Sequence, residues 1–183
     1  DAEGTVIWNR WYGDASSAWG IQDVAETADG DLLVLFNANQ SFSRYSILAR
    51  ISVIDGQLLS AQRLIDAPRY TIYYHLEPTA DGFLLSGGSV EEQGFFSLPK
   101  TFSLLKTDLN GTILWQRAVQ QPDVTFAGFL IDAVVGDNGD IWAAAVLENP
   151  FSTFGQVGLL HFDADGNWLA SFRCQAADPS RVV

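Results

Sequence analysis

Apolar positions in this chain come in short alternating runs, and the runs recur. Thr71–Pro78, Phe83–Ser89, Thr101–Asp108 and Thr112–Val119 are each rich in β-branched and aromatic residues, and Asp-Gly or Asn-Gly dipeptides punctuate them. Alternation of apolar and polar residues marks strands with one buried face. Asp-Gly and Asn-Gly suit tight hairpins because Gly and Asn tolerate positive φ. No 3.6-residue apolar period persists over a helix length, so the pattern predicts an all-β chain.

These four runs are one copy of a repeat. KTDLNGTILWQR (106–117) is echoed by DAEGTVIWNR at the start, by SVIDGQLLSAQR and by FDADGNWLASFR. Their glycines, Gly4, Gly56, Gly111 and Gly166, are separated by 52, 55 and 55 residues. A second phrase runs AETADGDLLVLF, EPTADGFLLSGG and VVGDNGDIWAAA, with Gly30, Gly82 and Gly139 spaced by 52 and 57. A third, YSILARIS, FSLLKTDL and VGLLHFDA, lies between them. Four antiparallel strands on a period of about 40–50 residues describe a β-propeller blade, with strands A to D running from the axis outward. The predicted divisions are a lone outer strand (1–12), three blades (19–64, 71–119 and 126–174), and the start of a further blade or a tail (175–183).

Propellers usually close with about 4–8 blades. Three blades and one strand form an arc with two open edges, and open edges invite pairing. The sequence therefore predicts a single propeller segment, partial or completed in an oligomer. The absence of Met, even at position 1, points to a processed or excised chain. Self-assembly into a ring and a compact three-blade arrangement are the other arrangements the count allows.

The run LLKTDLNGTILWQR resembles the repeats of secreted bacterial β-propeller proteins, whose blades end in K-x-D-x-x-G-x-x-x-W. It is similar also to the Trp-bearing repeats of quinoprotein-like propellers. That resemblance implies a β-propeller outside the cytoplasm (extracellular, cell-surface or periplasmic). The departures are specific. Lys106 becomes Arg50 and His161 in the sister blades, and Trp115 is matched by Trp8 alone. The paired cysteines and cofactor ligands of a quinoprotein are missing, so no quinone site is carried over and no cofactor is expected.

Composition narrows the function further. The 183 residues carry a net charge of −12, with ten scattered basic residues. A nucleic-acid groove needs a basic stripe interleaved with aromatics, which this chain does not present. The longest apolar stretch, near 141–147, is far short of the ~20 residues of a spanning helix. The single Cys174 can form no internal disulfide, CxxC pair or zinc constellation.

Candidate chemistry falls in two places. Aligned on their Asp-Gly turns, the A strands put Asp23, His75 and Asp132 at one position, and Glu77 follows His75 on the same strand face. In a propeller this group lines the central channel and could take a cation or polar ligand, or merely satisfy a wet channel. The B–C loops carry the second set: Phe42 and Tyr45, Phe95 and Phe96, Phe151 and Phe154. Loop aromatics on one face suit a partner-binding rim. The Tyr70, Tyr73 and Tyr74 cluster fits either a sugar platform or strand packing. Asp163–Gly166 lacks the spacing of a calcium loop and suits an Asx turn instead, so no metal is expected. The recurrent Arg10, Arg63, Arg117 and Arg173 read as charges that guard outer edges. Neither histidine lies in a triad motif and no nucleophile accompanies His75. The leading expectation is a non-catalytic interaction or scaffold module, completed by a protein partner or by copies of itself. The alternatives are a fragment of a propeller enzyme (hydrolase, lyase or quinoprotein-like) with a channel site, and a glycan-binding propeller.

Overall fold

The computed structural model describes residues 5–13, 18–40, 43–64, 70–90, 101–119, 127–148 and 156–174. Within them lie twelve strands and no helix. They form three separate antiparallel sheets in strict chain order. Blade 1 comprises β1 (Ala18–Glu26), β2 (Leu32–Gln40), β3 (Ser43–Ile51) and β4 (Leu58–Leu64). Blade 2 comprises β5 (Tyr70–Thr79), β6 (Gly82–Val90), β7 (Thr101–Asp108) and β8 (Ile113–Val119). Blade 3 comprises β9 (Ala127–Val135), β10 (Ile141–Glu148), β11 (Gln156–Phe162) and β12 (Trp168–Cys174). The protein is all-β, built of propeller-type blades, and the three sheets do not close into a barrel.

The C–D turns explain the repeated phrase. Asp108 Oδ1 accepts the N–H groups of Asn110 and Thr112, each at 2.8 Å. Asp163 Oδ1 does the same for Asp165 and Asn167. These are Asx turns, in which a short carboxylate satisfies backbone donors that the hairpin leaves over. Their demand on the backbone falls on Gly56, Gly111 and Gly166, at φ of 69°, 83° and 76°. The A–B turns are tied from outside. Arg50 on β3 bonds Asp31 (Nε at 3.0 Å and an Nη at 2.8 Å) and also Asp29. Lys106 on β7 bonds Asp81 at 2.6 Å and Thr79 at 2.5 Å. His161 on β11 meets Asp140 at 2.9 Å. Arg, Lys and His therefore share one task, a strand-C cation or imidazole holding the neighbouring hairpin.

The core sits between blades. One cluster joins Leu33, Leu35 and Leu48 of blade 1 to Tyr73, Phe83 and Leu85 of blade 2. Another joins Leu84, Phe102 and Leu104 of blade 2 to Leu130, Ile141 and Phe162 of blade 3. A third covers the opposite face of blade 1, with Trp8, Tyr12 and Trp19 packed on Phe36 and its neighbours. Each blade thus has a preceding and a following face, and strand A of the next blade lies on the following face of the one before.

Residues 5–12 depart from the expected outer strand. Among the described residues they belong to no strand. They dock by side chains instead: Trp8 Nε1 donates to Val53 O at 2.7 Å, Arg10 Nε to Asp55 O at 2.7 Å, and Tyr12 Oη to Gly56 O at 2.6 Å. This is the place β8 takes on blade 3. A Cβ built on Gly56 would meet Trp8 at 2.7 Å, and one on Gly166 would meet Trp115 at 2.8 Å. The segment holds the position of an outer strand and lacks the sheet of one.

Candidate functional site

The A strands do converge. His75 Nδ1 lies 2.9 Å from Asp23 Oδ2, and His75 Nε2 lies 3.0 Å from Asp132 Oδ1 and 3.7 Å from Glu77 Oε2. Three blades contribute to this group, and a shared backbone device aims it. Each A strand carries an irregularity one residue before the candidate: at Gln22 in β1, Tyr74 in β5 and Ile131 in β9. A bulge inserts one unpaired residue and re-aims the next side chain, here Asp23, His75 and Asp132.

The group spends much of its bonding on the fold. Asp23 Oδ2 also accepts the Leu76 N–H at 2.8 Å, and Oδ1 accepts the Val24 N–H at 2.8 Å. One carboxylate of blade 1 therefore holds both backbone and imidazole of blade 2. His75 Nε2 is buried, and its approach to Asp132 is close but not aligned as a hydrogen bond. Among the described residues, no three His, Cys, Asp or Glu side chains are disposed to hold a metal ion. What the arrangement does is tie blades 1 and 2 through Asp23 and His75, with the Asp132 carboxylate of blade 3 close beside the imidazole.

The loop aromatics are placed differently. Phe42, Phe95, Phe96, Phe151 and Phe154 lie outside the described residues. Tyr45 is a correction: it sits in β3, not in a loop, and is buried beneath the Arg63 guanidinium, 3.7 Å from the ring centroid. The strand it occupies is longer than the turn residues around it suggest. Tyr73 is fully buried between blades 1 and 2, and Tyr74 packs on Phe129 with centroids 5.0 Å apart. Both are packing residues. The recurrent arginines differ in what they touch. Arg10 reaches Asp55 on the following turn, and Arg117 lies against Gly166 and over Trp115, so each contacts a neighbouring turn, whereas Arg63 lies over Tyr45 of its own blade.

A surface that the residue pattern did not single out lies on blade 3. Its following face repeats, pair by pair, the faces that blades 1 and 2 bury. Leu35–Leu48, Ser86–Leu104 and Ala144–Leu159 are equivalent cross-strand pairs, as are Leu33–Arg50, Leu84–Lys106 and Trp142–His161. Leu48 is 4% exposed and Leu104 1%, but Leu159 is 38% exposed. Around it Trp142 stacks on His161 with centroids 4.0 Å apart, and Phe172 lies alongside Trp142 at 6.0 Å. Val157 is half exposed. The signal for this face was the repeat itself, which gives these positions buried counterparts in blades 1 and 2, whereas no described strand packs on them here.

No protein-family model matches the chain, and no curated protein is similar to it. Among solved structures, the chain is similar to a protein of unknown function from Bacteroides caccae, at 12% identity and a TM-score of 0.33. The match covers 85% of this chain and 82% of that one. A likeness at this level carries no argument about fold or activity. The blades described above rest on their own strand pairing.

Proposed function

We propose that the chain is a non-catalytic interaction or scaffold module, a β-propeller segment of the extracellular, cell-surface or periplasmic space that works as part of a larger assembly. One observation carries this reading: Leu159 is 38% exposed at a position where its two repeat counterparts are buried by a neighbouring blade. An apolar, aromatic-rich sheet face of this kind marks a protein-binding surface. The commitment of Asp23 and His75 to blade-to-blade ties favours a structural role for the channel group over a catalytic one.

The test is contact-dependent crosslinking in the native host. A photoreactive phenylalanine analogue at Leu159 should give a discrete adduct with a polypeptide. The same group at Ile54, which is 80% exposed on the C–D turn of blade 1, should give none. Absence of any adduct at Leu159 would remove the reading.

A further inference from the structure

Each outer strand breaks its ladder at the same step. In β4, Ser60 pairs with Arg50 and Leu58 with Ile51, which leaves Leu59 as the extra residue; in the same way Leu114 is extra in β8 and Leu169 in β12. A bulge takes its extra residue out of the ladder and bends the strand, and such a bend protects an outer strand from foreign pairing. A polar residue would serve that purpose. All three are leucine, and they are 48%, 55% and 51% exposed. The tips of the C–D turns carry Ile54, Leu109 and Ala164 at one equivalent position, all of them exposed. Apolar side chains exposed singly are ordinary. Here the same two positions are apolar and exposed on three successive blades, a stripe along the rim that neither hairpin nor bulge requires.

The stripe lies at the acidic end of the blades. The bulges stand beside Arg50, Lys106 and His161, the strand-C residues that reach the A–B turns, so both sets of turns share this end. Asp55, Asp108, Asp163 and Asp165 come from the C–D turns, and Asp29, Asp81 and Asp137 from the A–B turns. Arg50, Arg10 and Lys106 offset Asp29, Asp55 and Asp81. Asp108 Oδ1 instead accepts backbone N–H groups, which leave its charge in place. Hydrogen bonds from Thr112 and Asn167 hold the Asp108 and Asp163 carboxyls below their ordinary values, so both stay ionised at neutral pH.

We propose that the rim stripe is a docking surface for a basic, amphipathic segment of another polypeptide, in which Lys or Arg alternates with apolar residues. Its apolar side chains cover the bulge leucines and the turn tips, and its cations meet the turn carboxylates. Charge complementarity selects this occupant. A second copy of the chain, at a net charge of −12, would bring like charges to an acidic end. The inference goes beyond the blade 3 face of the reading above, because the stripe includes Leu59 of blade 1 and Leu114 of blade 2.

The experiment titrates the full chain into labelled synthetic peptides and follows fluorescence anisotropy. A peptide of alternating Lys and Leu should bind saturably, and less tightly as salt rises. An alternating Lys–Ser peptide and an alternating Glu–Leu peptide should each bind at least about tenfold more weakly. The combined variant Leu59→Ser, Leu114→Ser and Leu169→Ser alters half-exposed side chains, so it should keep the parent circular-dichroism spectrum and lose about tenfold in affinity for the Lys–Leu peptide. Leu114→Ser and Leu109→Ser, made singly, should each weaken binding measurably and answer the question even if the combined variant fails to fold. No binding of the Lys–Leu peptide overturns the proposal. So does equal affinity for the Lys–Ser peptide, which would mean attraction by net charge alone, and so does binding that survives the leucine substitutions. Leu159→Ser should leave peptide binding unchanged; loss of binding there would place the peptide on the blade 3 face and overturn the rim site. The crosslink at Leu159 decides the interaction reading separately, so either can fail without the other.

Discussion

The two joints inside the arc solve the same packing problem by different means. Between blades 1 and 2 the inner half is polar. Asn37 Nδ2 donates to Tyr73 O at 3.1 Å, and Ser46 Oγ accepts the Tyr73 N–H at 2.9 Å while donating to Asn37 Oδ1 at 2.5 Å. Between blades 2 and 3 the equivalent cross-strand pair is Gly88 and Phe102, and Phe102 lies on Gly128 with no room for a side chain there. The outer halves differ too. Among the described residues, Gly111 faces Leu33 and Leu48 of blade 1, at 3.5 and 3.6 Å from a built Cβ, whereas Gly166 is roofed by Trp115 and Arg117 of blade 2. One joint is held by bonds to backbone, the other by ring area. The repeat conserves the positions that meet, not the chemistry by which they meet.

The following substitutions and conditions would break that contrast, in falling order of effect. Phe102→Ala should be the most damaging, costing about 3–5 kcal/mol in chemical unfolding, because a buried ring is lost and a cavity remains over Gly128. Asn37→Ala should cost about 1–3 kcal/mol, since it removes the amide that donates to the Tyr73 carbonyl and accepts the Ser46 hydroxyl proton in a half-buried place. If Asn37→Ala cost as much as Phe102→Ala, the polar clamp would be more than a bond count suggests.

The glycines sharpen the contrast at the outer edge. Gly111→Ala meets only the cost of a left-handed conformation, about 1–2 kcal/mol, because its Cβ would find ordinary contact distances. Gly166→Ala carries that same cost and must also displace Trp115, so its thermal midpoint should fall further. Equal losses at the two positions would show that Trp115 moves freely and locks nothing.

Acid should act most gently, on the turns themselves. The Thr112 N–H holds the Asp108 carboxyl below its ordinary value, with the Asn110 N–H assisting. Asp163 is lowered by the Asn167 side chain first, then by the Asn167 and Asp165 N–H groups, with a contribution from Arg117 across the joint. A carboxyl whose value is depressed on folding adds stability that is complete above its unfolded value of about 3.9 and lost as pH falls through the folded value. Stability should therefore be flat near neutrality and decline below about pH 4. Asp108→Asn should shallow that acid decline; an unchanged acid profile would place the sensitive carboxylates elsewhere.

Much of this architecture was legible in the chain. In blade 2 the runs read as strands coincide with β5 to β8 within a residue or two at each end, because Asp-Gly and Asn-Gly mark hairpins by their own backbone chemistry. Asp23, His75 and Asp132 came together as aligned, since a bulge recurs at the same step of each repeat. What stayed hidden depends on partners distant in sequence. Nothing local distinguishes Arg117, which clamps a turn on the next blade, from an arginine guarding an edge. Tyr45 looked like a loop residue because Asn, Ser and Arg surround it, yet β2 and β3 extend through that polar stretch in continuous register from Leu32–Ile51 to Gln40–Ser43. The blade 3 face escaped notice because Leu159 and Val157 alternate like any buried strand; only their exposure in the folded chain separates them from Leu104 and Phe102.

The central claim is that this face is an interface of the same kind as the two inside the arc. Hydroxyl-radical labelling of the native particle, read residue by residue, tests it most directly. Leu159 and Val157 should be protected as well as Leu104 and Phe102. Labelling of Leu159 in the native particle at the rate of the freely exposed Ile54 would contradict the account.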